Sequence, residues 1–199
     1  TLVKDARFTV GDVTQQGQLR DVEDYQVEQR RFFFTVDPAL FGSEYPNIDI
    51  LDRDQMNRLG AALDRQGLRP AKISVYRLQI GSQPANPNGP RFVVNGLRAA
   101  NNGDQPYELL REGVDYYVDP SQLWIAMVTQ PSLERDRLVI AYTVRGPNGQ
   151  PVVIPSVGGT PDVAYNGGPP GSQVANLLYD YSINPGDAAF RREIRSVYR

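Results

Sequence analysis

Residues 137–144 read Arg-Leu-Val-Ile-Ala-Tyr-Thr-Val, and this stretch decides the fold class. The side chains of a strand point alternately to its two faces. The two alternating sets here are Leu138, Ile140, Tyr142 and Val144 on one side, and Val139, Ala141 and Thr143 on the other. A strand that is apolar on both faces is typical of the centre of a sheet. The sequence therefore predicts a central strand at 137–144, buried on both sides.

Shorter runs of strand-forming residues lie on either side of this segment, separated by turns rich in Gly, Pro, Asn and Asp. The predicted strands are 6–10, 26–36, 73–80, 91–97, 107–110, 114–118, 123–128 and 174–181. We expect 114–118, 123–128 and 137–144 to form a compact antiparallel meander. Trp124 and Met127 should line the core beneath its last strand.

Two segments have helical periodicity. Between residues 52 and 68, apolar side chains recur at three- and four-residue steps, as in an amphipathic helix. Asp52 or Asp54 is the expected N-cap, and Gly67 closes the helix. Residues 188–198 predict a short basic helix near the C-terminus.

These elements together predict a mostly β fold, an antiparallel β-sandwich-like domain with one central α-helix and a short C-terminal helix. A length of 199 residues suits one soluble β-rich domain over 1–199, and a subdivision into 1–70 and 71–199 is also open. Residues 146–172 contain many Gly and Pro, so we expect a long, irregular loop there.

The composition excludes most common kinds of active site. The chain has no Cys and no His, which excludes thiol nucleophiles, Ser-His-Asp triads and Cys/His zinc sites. Its 21 basic and 23 acidic residues give a net charge of -2, which offers no field for holding a phosphate backbone. We therefore expect no enzymatic activity, no cofactor and no nucleic-acid partner.

One segment has the spacing of a calcium-binding loop. Asp12, Gly17 and Glu23 occupy positions one, six and twelve, where such a loop has its first ligand, its turn glycine and its bidentate carboxylate. Thr14 and Gln16 stand where further strong ligands are required, and no helical pattern flanks the segment. The sequence favours a solvated acidic turn and predicts no metal site.

A second acidic group lies among predicted turns and contains Glu108, Glu112, Asp115 and Asp119, next to Tyr116 and Tyr117. Paired carboxylates carry out glycoside hydrolysis. Asp is also common in turns for structural reasons, and nothing in the sequence fixes the separation of these carboxyl groups. We interpret them as turn residues and predict no catalytic residues.

Two further groups are candidates for contact with a partner. The run from Phe32 to Phe34 either presents an aromatic ring outward or fills a core on two sides, and the second interpretation is favoured. The predicted C-terminal helix carries apolar residues on one face and a basic cluster on another. Docking to an acidic partner is open, but packing of the apolar face is favoured. The basic residues are Arg191, Arg192, Arg195 and Arg199.

Residues 111–120 read Arg-Glu-Gly-Val-Asp-Tyr-Tyr-Val-Asp-Pro, followed by Leu-Trp-Ile-Ala at 123–126 and Leu-Val-Ile-Ala-Tyr-Thr-Val at 138–144. This order resembles a recurring segment of the SprA family, the giant outer-membrane translocons of the type IX secretion system linked to gliding motility. Residues 21–25 and 192–198 are similar to stretches that flank it. The family has a Tyr-rich strand that leads into a Gly-Glu-Phe turn after this segment. This chain lacks both and has Val-Val-Ile-Pro-Ser-Val-Gly at 152–158 in their place.

The resemblance implies a non-catalytic soluble module of an outer-membrane translocon that mediates protein contacts. Its partners would be the rest of a larger chain, secretion-system components or copies of itself. It implies an exported protein on the periplasmic or cell-surface side, with membrane contact only through the parent chain. The absence of a secretory signal at Thr1 fits a mature chain or an excised piece. A self-assembling surface or filament subunit and a carbohydrate-binding module remain alternatives.

Overall fold

A computed structural model describes residues 29–97, 105–144, 152–154, 162–164, 174–184 and 188–195. Over these residues the chain is a mostly β, sandwich-like domain, as predicted. The predicted strand at 6–10 and the acidic segment at 12–23 lie outside the described residues.

The larger sheet contains five strands in the order β3-β10-β7-β2-β4. Strand β10 pairs with β3 in parallel, and the other neighbours in this sheet are antiparallel. The antiparallel prediction therefore holds for all but one pair. The strands are β2 (Ala71–Gln79), β3 (Val93–Asn95), β4 (Glu108–Leu109), β7 (Asp136–Thr143) and β10 (Val174–Asp180).

Strand β7 is central and buried on both faces, which confirms the prediction from its two apolar sets. Ile140 and Tyr142 belong to the main core between the sheets, whereas Val139 packs with Phe92 and Leu177 in a second core on the opposite face. Because each fully buried side chain of this size contributes about 1.5–3 kcal/mol, β7 stabilises both layers at once.

The smaller sheet contains three strands in the order β1-β6-β5. They are β1 (Phe32–Phe34), β5 (Tyr116–Val118) and β6 (Trp124–Met127). Only β5 and β6 pair as the meander prediction requires, and the placement of β7 beside them was wrong. Strand β7 pairs instead with β2 and β10, because two apolar faces require a core on each side, which the centre of the larger sheet provides.

Part of the segment expected to be an irregular loop is regular. Strands β8 (Val152–Ile154) and β9 (Asp162–Ala164) form an antiparallel pair within residues 146–172. Asp162 and Ala164 are buried. The β-branched Val-Val-Ile run favours a strand despite the surrounding glycines and prolines. The rest of the predicted loop lies outside the described residues.

Helix α1 (Arg53–Arg65) confirms the predicted amphipathic helix. The carboxylate of Asp52 caps it by accepting hydrogen bonds from the backbone N–H groups of Asp54 (2.9 Å) and Gln55 (3.0 Å). Its apolar face, including Met56 and Leu63, packs into the main core. Among the described residues, no helix has the length and apolar character needed to cross a membrane.

The predicted C-terminal helix is shorter than expected. A 3-10 helix spans Ala188–Arg192, and the chain is extended from Glu193. Glu193 forms a bridge with Phe33, and the Ile194 N–H donates to the Phe32 carbonyl (2.8 Å). We call residues 188–195 the C-terminal segment. It lies along the edge of β1 and forms hydrogen bonds with backbone groups of that strand. A longer helix would leave those backbone groups without these partners.

The edge at β4 is very short. Strand β4 has two residues, and the backbone next to it already has partners on both sides. The Tyr107 N–H donates to the Pro90 carbonyl (2.8 Å), and the Arg111 N–H donates to the Asp115 carboxylate (2.8 Å). Short, interrupted edges disfavour strand-to-strand association between molecules.

The helix cap gives a direct test of this fold. We expect Asp52→Ala to lower the free energy of unfolding by about 1 kcal/mol, because two backbone N–H groups lose their acceptor. Asp64→Ala, near the other end of the same helix, should leave stability unchanged or slightly higher, because an acidic group there opposes the helix dipole. Urea denaturation measures both, and equal losses would contradict the assignment of Asp52 as the cap.

Candidate functional site

The Gly-Val-Asp-Tyr segment forms a closed turn before β5. Gly113 has a φ of 80°, a backbone conformation that favours glycine, and its N–H donates to the Tyr116 carbonyl (2.7 Å). The Asp115 carboxylate accepts from the Arg111 N–H (2.8 Å). Tyr116 points inward, and its hydroxyl donates a long hydrogen bond to the Ile73 carbonyl in the larger sheet (3.4 Å). The motif therefore shapes a turn and connects two sheets.

The carboxylates of Glu108 and Asp119 also have structural partners. Glu108 pairs with Arg77 across β4 and β2 (3.0 Å), and Asp119 accepts from the Ser121 N–H in a tight turn (2.8 Å). Glu112 forms a backbone bridge with Tyr116. In the part of the chain that the structure describes, no three acidic side chains are grouped closely enough to hold a metal ion. The predicted calcium-like loop at 12–23 lies outside that part.

A buried ionic cluster lies where the two sheets meet the C-terminal segment. Its centre is the Asp162 carboxylate, which accepts from the guanidinium of Arg192, the hydroxyl of Tyr142 (3.0 Å) and the N–H of Asp37 (2.8 Å). The Asp162 and Arg192 side chains are only 2% and 4% exposed. Burial and the nearby Asp162 charge raise the pKa of Tyr142 well above its ordinary value, so Tyr142 remains a donor.

Two further contacts extend the buried ionic cluster toward β1. Arg192 donates to the Thr35 carbonyl (3.0 Å), and Arg191 pairs with Asp37 (2.6 Å). Both arginines lie in the C-terminal segment, and both acceptors lie just after β1. Because charge-assisted hydrogen bonds are about twice as strong as neutral ones, these contacts fix the C-terminal segment against the smaller sheet.

The arginine cluster is therefore not the outward basic face of a helix. Arg192 is buried and Arg191 is largely buried, because each neutralises an interior carboxylate. Arg195 is about half exposed, pairs with Glu193 (2.8 Å) and lies over the ring of Phe190, 4.0 Å from its centre. Arg199 lies outside the described residues. Docking to an acidic partner through Arg191 and Arg192, the alternative that the sequence left open, is therefore wrong for these two residues. The favoured interpretation, that the segment packs by its apolar residues, agrees with the burial of Ile194 in the main core.

A second buried ion pair has no counterpart in the sequence predictions. Arg137 and Asp180 stand opposite each other on β7 and β10 at 2.6 Å, with side chains 6% and 1% exposed. The Ser182 N–H also donates to Asp180 (2.9 Å). In the sequence, Arg137 and Asp180 each lie at one end of an apolar run. A charged residue in such a place is usually at the solvent-exposed end of a strand, so the sequence does not distinguish a buried ion pair from two exposed charges.

The three consecutive phenylalanines fill the protein interior on two sides, as favoured from the sequence. Phe33 packs edge-to-face with Tyr179 (ring centres 6.4 Å apart), and Phe34 packs with Phe41 on the opposite face (5.8 Å). Phe32 is partly buried beside Trp124 (5.9 Å). Met127 is buried as predicted, whereas Trp124 points to the opposite face of β6 and packs at the margin of the core.

The smaller sheet turns one apolar face away from the larger sheet. Phe32, Ala126 and Tyr117 stand side by side across β1, β6 and β5, and Val128 follows on the same side of β6. We call this surface the outer face. Its most exposed members are Tyr117 (55%) and Val128 (46%).

Comparison of the chain with family models, curated proteins and solved structures finds no match. Its function is therefore inferred from the geometry of its own residues and from the order of motifs at 111–144.

Arg192 is buried and Arg195 is about half exposed, and this difference provides a test of the buried ionic cluster. Arg192→Met should lower the free energy of unfolding by about 3–5 kcal/mol, because it leaves the Asp162 charge buried without its cation. Arg195→Met removes a half-exposed pair and should change stability by less than about 1 kcal/mol. Chemical denaturation of both variants gives the comparison, and similar small losses would show that Arg192 is not held in a buried pair.

The turn at Asp115 makes a prediction about pH. The hydrogen bond from the Arg111 N–H holds the pKa of Asp115 below its ordinary value. Because the folded-state pKa is lowered, this interaction stabilises the fold above the ordinary aspartate pKa and is lost as pH falls through the folded value. Carboxyl titration by NMR should show the low pKa. Arg111→Ala should leave the pKa of Asp115 below its ordinary value, since the backbone donor remains; a return to the ordinary value would contradict this cause.

Proposed function

We propose that the chain is a non-catalytic module of a larger outer-membrane translocon of the SprA type, where it mediates protein contacts. One observation carries the proposal. The segments at 111–120 and 123–126, whose motifs resemble that family, supply Tyr117 and Ala126, and the ring of Tyr117 is exposed on the outer face.

The physical basis is the cost of leaving apolar surface in water. Each Å² of apolar surface removed from water stabilises a complex by about 25 cal/mol, and grouped exposed apolar side chains are typical of contact sites. Tyrosine is enriched in interfaces because it combines a large apolar ring with a polar hydroxyl. The outer face has this character, with Tyr117 beside Ala126 and Phe32.

The chemistry of the chain supports a non-catalytic role. It contains no Cys and no His, and the carboxylates of Glu108, Asp115 and Asp119 are engaged in hydrogen bonds that shape turns or join strands. A carboxylate that supports the fold in this way is a poor choice for proton transfer to a substrate, since protonation would weaken the turn.

The outer face is a better contact surface than the β4 edge. At that edge, Leu109 lies between two backbone positions, at Tyr107 and Arg111, that already have partners. An incoming strand would find few groups to pair with. Contact through the side chains of the outer face is therefore favoured over strand addition at the β4 edge.

The mass of the native polypeptide tests whether this chain is part of a larger translocon. A peptide containing Trp124, detected by mass spectrometry after size separation of an outer-membrane fraction, should come from a chain many times larger than 22.2 kDa. A native chain near that mass would make the translocon proposal wrong and favour a free binding protein or a self-assembling subunit.

Site-specific crosslinking tests the contact surface. A photoreactive phenylalanine analogue at Tyr117 of the native protein should give discrete crosslinked products in cells. The same analogue at Leu51, which is 74% exposed and precedes α1, outside the strands of the smaller sheet, is the matched control. Products from Leu51 but not from Tyr117 would show that the outer face is not the contact surface, whatever the parent chain.

A further inference from the structure

A cleft of about 130 Å³ lies between the end of β10 and the C-terminal segment. Its lining includes the buried Phe33 and Leu178, the exposed Leu133 and the partly buried Arg30. The cleft is separate from the outer face, because Phe33 and Phe32 point to opposite sides of β1. Sites for cofactors and drug-sized ligands occupy about 300–1,000 Å³, so this cleft fits one side chain and is too small for a nucleotide or an oligosaccharide.

Three charged side chains line the cleft besides Arg30, and each of them is paired with an opposite charge. The Asp180 carboxylate is paired with Arg137 (2.6 Å), and the Glu193 carboxylate is paired with Arg195 (2.8 Å). The charges within each of these pairs cancel. The charge of Arg30 is therefore the one in the lining that no opposite charge in the lining neutralises.

The guanidinium of Arg30 has neutral partners among the described residues. Its Nη1 atom donates to the Pro131 carbonyl (3.1 Å), it hydrogen-bonds to the Tyr179 hydroxyl, and its Nε atom has no hydrogen-bond partner in that part of the chain. The other acid near Tyr179 is Asp136, which accepts from the Ser132 N–H (2.8 Å) and lies outside the cleft lining. A guanidinium has more N–H donors than these contacts use, so donors remain for an acceptor in the cleft.

The backbone of Arg30 has an unusual conformation. Its φ is 55°, in the left-handed region that is unfavourable for residues other than glycine. Its N–H donates to the Glu193 carboxylate (2.8 Å), which fixes this backbone against the C-terminal segment. Residues held in such conformations are concentrated at active sites and ligand-binding sites. The fold thus holds an arginine without an acidic partner at a fixed place beside the cleft.

We propose that this cleft binds one acidic side chain of a partner protein, and that Arg30 is the residue that recognises its carboxylate. The inference rests on the proposed function as a protein-contact module, and it adds the chemistry of the side chain recognised. Arginine suits this role because its planar N–H groups match the oxygens of a carboxylate. The apolar lining at Leu133 and Leu178 suits the methylene groups of a glutamate.

Blocked amino-acid amides test the inference on the complete chain. In NMR titrations, N-acetyl-glutamate amide should bind with a dissociation constant on the order of 10 mM. It should shift the Nε–H signal of Arg30 and the backbone signals of residues 29–33 and 178–183. N-acetyl-glutamine amide has nearly the same shape without the charge, and it should bind at least about fivefold more weakly. Equal binding of the two amides, or shifts at Tyr117 alone, would overturn the proposal.

Arginine variants identify the residue that recognises the carboxylate. Arg30→Met removes the charge and should abolish the preference for the glutamate amide, whereas Arg30→Lys keeps the charge and should retain part of that preference. Arg58→Met, at an exposed position of α1 outside the cleft, is the matched control and should leave binding unchanged. A preference that Arg30→Met leaves intact would refute the role of Arg30. Crosslinking at Tyr117 is independent of this result, so failure here would leave the proposed contact function standing.

Discussion

The carboxylate of Asp162 is buried in the interior and has to be neutralised there. An unpaired charge in such a place would cost several kcal/mol, and its donors come from three separate parts of the chain, namely Arg192, Tyr142 and the backbone of Asp37. Strand β9, strand β7, the C-terminal segment and the residues after β1 are therefore fixed relative to one another. Closing the apolar core between the sheets around an ionised Asp162 therefore requires these donors to come together.

Elements with a strong local pattern were predictable from the sequence. The two apolar sets of β7 and the capped, amphipathic α1 follow from periodicity alone, because periodicity reports which faces of an element are buried. The partners of a strand are not encoded in this way. The pattern at 123–128 and 137–144 identifies two strands, but it does not reveal that the second leaves the sheet of the first for a position between β2 and β10.

Prediction of the candidate site succeeded for local geometry and failed for distant partners. Gly113, Asp115 and Tyr116 form the turn that their types indicate. The arginines were misinterpreted because basic residues at helical spacing usually face solvent. The acidic partners of Arg191 and Arg192 lie 154 and 30 residues away in sequence. No local pattern reports a contact over such separations, so only the folded structure shows that these charges point inward.

The order in which Asp162 and Arg192 are synthesised affects the timing of folding. A ribosome that adds about 5–20 residues per second completes the codons for the 30 residues between Asp162 and Arg192 in roughly 2–6 seconds. During that interval the ionised Asp162 carboxylate has no cation, so burying it between the sheets would cost several kcal/mol. Closure of the interior around Asp162 is therefore favoured only after the C-terminal segment has been synthesised.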